Sequence, residues 1–197
     1  GKPIIASTGM ANLSDVDEAV RIFRRNGNTN FVILQCTSNY PSLISDANLK
    51  AMKTIKHKLG VKVGYSDHSL GYIVPIAAAA LGASVIEKHF TLDKKNKGPD
   101  HNASLNPSEL KEMIRKIRST EKILGSYIKK PSKGELKNIK IVRKSIFKKK
   151  KIKKGDVFSD QNISTKRPAI GISAKKWDKI IGKKSKRNFK ADQPIKL

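Results

Sequence analysis

Two rhythms of apolar positions alternate along the first two thirds of the chain. Short apolar runs, KPIIAST (2–8), NFVILQCTS (30–38), VKVGYS (61–66) and SVIEKHF (84–90), have the length and the β-branched content of buried strands. Between them the apolar residues return every three or four positions. Val16, Ala19, Val20 and Phe23 share one face of a helix expected from Ser14 to Arg25, with Ser14 as its N-cap and Gly27 as its terminator. A second helix is predicted over 46–58, ending at Gly60, and a short alanine-rich one over 74–81. Asn106-Pro107, a capping residue followed by a proline suited to a first turn, opens a longer helix. It runs to Gly125 with Leu110, Met113, Ile114 and Ile117 in register.

Four βα units in succession predict a parallel sheet with its helices outside, either doubly wound or part of a (β/α)8 barrel. Polar residues gather at the C-terminal ends of all four strands, where both folds build their sites. No G-x-G-x-x-G fingerprint follows the first strand, so the barrel is the favoured form of this α/β fold. The pattern changes after about residue 128. Strand-like pieces at 142–147 and 157–158, interrupted by Gly155-Asp156, and a short helix capped by Ser173 and running to about Ile181 predict a small β-rich unit. The expected organisation is a first domain over 1–128, a linker over 129–139 and a second domain over 140–197.

Charge sharpens this division. Residues 129–197 carry 24 lysines and arginines against 5 acids, so +19 of the net +26 sits there. That excess offers an alternative function, a basic module engaging nucleic acid or an acidic surface through the lysine-rich C-terminal region. Its lysines are interleaved with few aromatics and accompany no RNA-binding or zinc-finger signature, which disfavours nucleic acid as a partner. The lone Cys36 cannot close an internal disulfide, as expected for a cytoplasmic protein, and no apolar run approaches the roughly 18 residues of a membrane span.

Two histidines stand out, His68 in VGYSDHSLG and His89 in SVIEKHFTL, each just past a predicted strand. Neighbouring parallel strands lie about 4.8 Å apart, so both imidazoles can reach one metal ion. They can equally well make ordinary hydrogen bonds in a barrel mouth. Glu87, two residues before His89, can orient His89 or a metal-bound water, or just as well form an ion pair with Lys88 or another lysine.

Five segments in order, STGMA (7–11), QCTSNYP (35–41), GYSDHSLG (64–71), IEKHFTLD (86–93) and GPDHNASLNPSEL (98–110), resemble the sialic acid synthase family, which includes N-acetylneuraminate, legionaminic acid and pseudaminic acid synthases. The tail is similar to that family's small antifreeze-like (SAF, β-clip) domain, through RKSIFKKKKIKKGDVFSDQNISTKRPAIGIS and WDKIIGKKSKRNFKADQPI. The resemblance implies that the chain corresponds to the last four βα units of a (β/α)8 TIM barrel followed by the SAF domain. It implies a transferase that condenses phosphoenolpyruvate with an N-acetylated sugar such as N-acetylmannosamine, giving a nine-carbon 2-keto sugar acid and phosphate. His68 and His89 match the family's ligands for a divalent metal, manganese or magnesium. Ser7, Ser38, Asn39 and Ser66 are implied to hold phosphoenolpyruvate, with turn capping as the plainer role for Asn39. Tyr40 and Asp100 are implied to contact the sugar. Arg167, in TKRPAIGIS, is implied to reach the partner subunit's barrel in a domain-swapped homodimer.

Overall fold

The computed structural model describes residues 2–98, 100–190 and 192–196. They form two compact units, residues 1–126 and 127–197.

In the first unit four parallel strands, β1 (Ile4–Ser7), β2 (Phe31–Cys36), β3 (Lys62–Asp67) and β4 (Ile86–Lys88), lie side by side in chain order. Helices α1 (Leu13–Arg25), α2 (Lys50–Leu59), α3 (Ile73–Ala80) and α4 (Pro107–Leu124) connect and follow them. The core explains why this is barrel-like. Alternate strand residues, Ile4 and Ala6, Phe31 and Ile33, Val63 and Tyr65, and Ile86, pack with Val16, Val20 and Phe23 of α1, Met52 and Ile55 of α2, and Val74 and Ala78 of α3. The first three helices therefore cover the same sheet face. A doubly wound sheet reverses its order and covers both faces, whereas sequential strands with helices on one face give half of a (β/α)8 barrel. On the opposite face Ile5 is 57% exposed, and Leu34 is buried over Gly64.

The caps differ in detail from the expectation. Asn12, not Ser14, caps α1, accepting from the Ser14 and Asp15 amides while Asp15 accepts from the Asn12 amide. The helix expected over 46–58 is two pieces. A 3-10 turn, Ile44–Ala47, ends at Asn48, whose φ of 42° is left-handed, and α2 starts afresh at Lys50. Asn106 caps α4 with the same reciprocal pairing, through Glu109.

The second unit begins with helix α5 (Lys133–Val142), so the segment expected as a linker is largely helical. Strand β5 (Ser145–Lys148) then pairs antiparallel with β6 (Ile163–Lys166), which has no counterpart among the predicted strands. Antiparallel bridges at Phe147–Pro194, Ile152–Phe189 and Val157–Lys184 close the unit. Its core is Ile146, Ile152, Phe158, Ile163, Ile180, Phe189 and Ile195. Ser173 caps a 3-10 turn that leads into α6 (Trp177–Ile180), as predicted. Among the described residues no helix is long and apolar enough to cross a membrane.

Candidate active site at the strand ends

Strand register places the polar ends together. Cys36, Ser66 and Glu87 stand side by side on one rung across β2, β3 and β4, and Asp67 pairs with Lys88 on the next. Because alternate residues face opposite sides, Ser66 and Glu87 point away from the helices whereas Asp67 and Lys88 point toward them. His68 and His89 follow at once, with ring centroids 5.3 Å apart and planes at 78°.

The buried His68 imidazole is held by the neighbouring strand end, that of β2. Its Nδ1 lies 2.9 Å from the Thr37 carbonyl oxygen and 3.9 Å from Cys36 Sγ. A carbonyl only accepts, so Nδ1 carries a proton, and in the neutral imidazole the lone pair is then on Nε2. That is the arrangement in which a histidine serves as a metal ligand, oriented by a partner on its other nitrogen. His89 is more open, and its Nδ1 lies 3.6 Å from Asp100 Oδ2. Among the described residues no third histidine, cysteine or carboxylate completes a metal cluster. Two imidazoles alone would leave an ion to take its remaining ligands from water, substrate or other groups.

The Tyr40 ring lies tilted 4.1 Å from that of His68 and edge-on 5.6 Å from that of His89, centroid to centroid. Partial burial, with Cys36, Asp100 and Glu87 nearby, raises its phenol above the ordinary value. Asp100 lies on a loop tied back to the sheet: the Leu105 amide donates to the His89 carbonyl, and the Thr91 amide to that of Leu105. Thr91 Oγ1 also meets His101 Nδ1 at 2.7 Å, a contact with no sequence signal beyond proximity in the motif. Pro99 of that motif lies outside the described residues.

Glu87 does not pair with Lys88. Strand alternation separates them, and Glu87 Oε1 instead accepts the Ser66 hydroxyl at 2.7 Å. Ser66 therefore presents lone pairs outward, and must turn away from Glu87 to donate to an anion. Ser38 is exposed, with its Oγ against Gly9, where a β-carbon would come within 1.9 Å. Ser7 and Asn39 are exposed at neighbouring strand ends, and the Asn39 amide donates to the Thr37 carbonyl, a turn contact. Arg167 is exposed in the second unit, at the end of β6.

Comparison with known proteins fits this arrangement to a family. The NeuB family profile matches residues 1–129. The chain belongs to the NeuB family. The SAF domain profile matches residues 143–197. An N,N'-diacetyllegionaminic acid synthase of Campylobacter jejuni is 52% identical over 197 residues, covering 99% of this chain and 59% of that protein. A pseudaminic acid synthase of the same species is 40% identical over 195 residues, covering 99% and 57%. The crystal structure of an N-acetylneuraminic acid synthetase from Leptospira borgpetersenii superposes with a TM-score of 0.64 at 39% identity, covering 70% of this chain and 48% of that one. The chain thus spans less than two thirds of the length of the NeuB relatives it matches.

Proposed function

We propose that this chain supplies the metal-binding half of a NeuB-type synthase. In the reaction, the methylene carbon of phosphoenolpyruvate bonds to the aldehyde carbon of an open-chain N-acetylated sugar such as N-acetylmannosamine. Water then adds to the resulting C2 cation, and C–O cleavage releases phosphate, leaving a nine-carbon 2-keto sugar acid. A divalent ion, manganese or magnesium, supplies Lewis acidity at the aldehyde oxygen when bound.

His68 and His89 hold that ion as neutral ligands, which leave it its full positive charge. Ser7, Ser38, Asn39 and Ser66 bind the phosphate and carboxylate oxygens of phosphoenolpyruvate. Glu87 holds the Ser66 hydroxyl until phosphoenolpyruvate replaces it as acceptor, and offers a carboxylate beside the reacting carbons. Tyr40 and Asp100 orient the sugar. Arg167, exposed and able to make planar multidentate hydrogen bonds, recognises the sugar's N-acetyl region in a partner subunit.

The observation that carries this reading over that of a basic binding module is the imidazole pair, with the lone pair of neutral His68 on Nε2, at the strand ends of a NeuB-family chain. The test uses the protein expressed from its whole coding sequence. Phosphate release from phosphoenolpyruvate is followed with each N-acetylated sugar, alongside manganese titration. His68→Ala or His89→Ala lowers manganese affinity and turnover together. Manganese titration that is unchanged in both variants refutes the assignment. An Arg167→Ala protein mixed with a His68→Ala protein recovers part of the activity if the arginine acts across subunits. No recovery in mixtures shown to exchange subunits places it in its own chain.

A further inference from the structure

One buried ion pair joins the two residues that immediately precede the histidines. Asp67 and Lys88 are partners on the last rung of the β3–β4 ladder. Lys88 Nζ donates to Asp67 Oδ2 at 2.7 Å, and the two side chains are 3% and 0% exposed. The other carboxylate oxygen, Oδ1, accepts from the Ser69 amide at 3.1 Å and the Ser69 hydroxyl at 2.8 Å. Lys88 Nζ donates also to the Ser69 carbonyl. The knot therefore binds β4 both to the end of β3 and to the loop that carries His68. It lies on the helix-facing side, away from Ser66 and Glu87.

Stability alone accounts poorly for such a pair, because an apolar pair of similar volume commonly serves as well in a protein interior. What apolar side chains do not supply is a fixed distance. A direct bond between the last paired residues of two strands sets the spacing and twist of the points from which His68 and His89 depart. Metal affinity is sensitive to that spacing, since an ion bound by only two imidazoles tolerates little change between them.

We propose that Asp67 and Lys88 are positioning residues that set the separation of His68 and His89 for the divalent ion, through this ion pair on the opposite face of the sheet. The inference rests on the reading that the two histidines hold a metal. It requires no contact of either residue with ion or substrate.

The decisive variant is Asp67→Asn/Lys88→Met in the protein expressed from its whole coding sequence. It removes both buried charges, keeps an amide oxygen for Ser69 and roughly preserves volume. Manganese affinity, read from the paramagnetic resonance of free manganese, falls about 10- to 100-fold, the range for groups that orient metal ligands. The thermal midpoint stays near that of the parent. A purely structural pair gives the opposite split, a lowered midpoint with unchanged affinity in the folded protein, and that result overturns the proposal. If the double variant does not fold, Asp67→Asn alone is read by manganese affinity in the folded protein, since a buried Lys88 without its counter-charge lowers the midpoint in any case; unchanged affinity there overturns the proposal. His68→Ala and His89→Ala separate the two levels of inference. If they abolish manganese binding while the ion-pair variants retain it, the positioning role alone fails. If they leave binding unchanged, the metal site fails and the positioning role with it.

Discussion

One step along a strand turns a side chain to the other side of the sheet, and at β4 that step separates two roles. Glu87 meets Ser66 on the face away from the helices, while Lys88 is locked to Asp67 on the other. Glu87→Ala frees the Ser66 hydroxyl and removes a negative charge from beside an anion site. Neither change weakens phosphoenolpyruvate binding, but the carboxylate proposed beside the reacting carbons is lost, so turnover is expected to fall by about tenfold or more with no rise in KM for phosphoenolpyruvate in steady-state kinetics. A raised KM contradicts that placement of Glu87. Gly64 is constrained by space. A β-carbon there would lie 2.4 Å from the Val85 carbonyl oxygen and 2.5 Å from Leu34 Cδ2. The carbonyl belongs to backbone and cannot swing aside, so Gly64→Ala is expected to destabilise by about 1–3 kcal/mol in urea unfolding. Sequence alone reached the two histidines because each sits at a strand end, a position that periodicity predicts. It could not reach the Thr37 carbonyl that fixes the His68 tautomer, since every residue has a carbonyl. Nor could it reach the Asp67–Lys88 pair, which depends on the β3–β4 register.

At the scale of elements, the caps were legible where their residues were read in full. Asn106 and Glu109 form the reciprocal box expected of N-x-x-E, and Asn106→Ala is expected to cost about 1 kcal/mol in thermal unfolding. Asn12 and Asp15 form the same box two residues ahead of the predicted start of α1, and Ser132 with Glu135 signals the start of α5. Helix α5 escaped prediction because its apolar positions bury nothing completely and lie in a lysine-rich stretch. The break at Asn48 escaped because a left-handed asparagine leaves no periodic trace. Glu109 also ties α4 to Lys94, and that hydrogen bond, followed by the one to the Asn106 amide, holds its carboxyl below the ordinary 4.5. A depressed carboxyl contributes stability that is complete above its unfolded value and is lost as pH falls through its folded one. The midpoint advantage of the parent over Glu109→Gln should thus be constant near neutrality and shrink below pH 4.5. An advantage that persists undiminished in strong acid would show that the pairing contributes through packing instead of charge.

At the scale of the molecule, four parallel strands in sequence leave β1 and β4 each with one edge that pairs with no further strand among the described residues. The face away from the helices, with Ile5 exposed, adds apolar surface to those edges. Open edges beside apolar surface favour association, so the 197-residue chain expressed by itself is expected to sediment as dimers or larger species. A single monomeric boundary in sedimentation velocity refutes this. The barrel form was legible from the order of elements and from the lack of a dinucleotide fingerprint. The smaller unit was legible only in outline, because its core draws single residues from many short segments and no long periodic run betrays them.

Lysine is abundant on this chain, yet two amines are hidden, one in each unit. Lys88 lies under the strand ends at 3% side-chain exposure, and Lys148, 4% exposed, donates from β5 to the Phe189 carbonyl. The other described lysines are exposed or half-buried. Brief acylation with an amine-reactive ester, followed by peptide mass spectrometry, should therefore mark the surface lysines and spare these two. As denaturant is raised, the onset of labelling at Lys88 reports the opening of the half-barrel and that at Lys148 the opening of the smaller unit. The native sequence thus carries its own pair of folding reporters, with no probe to introduce.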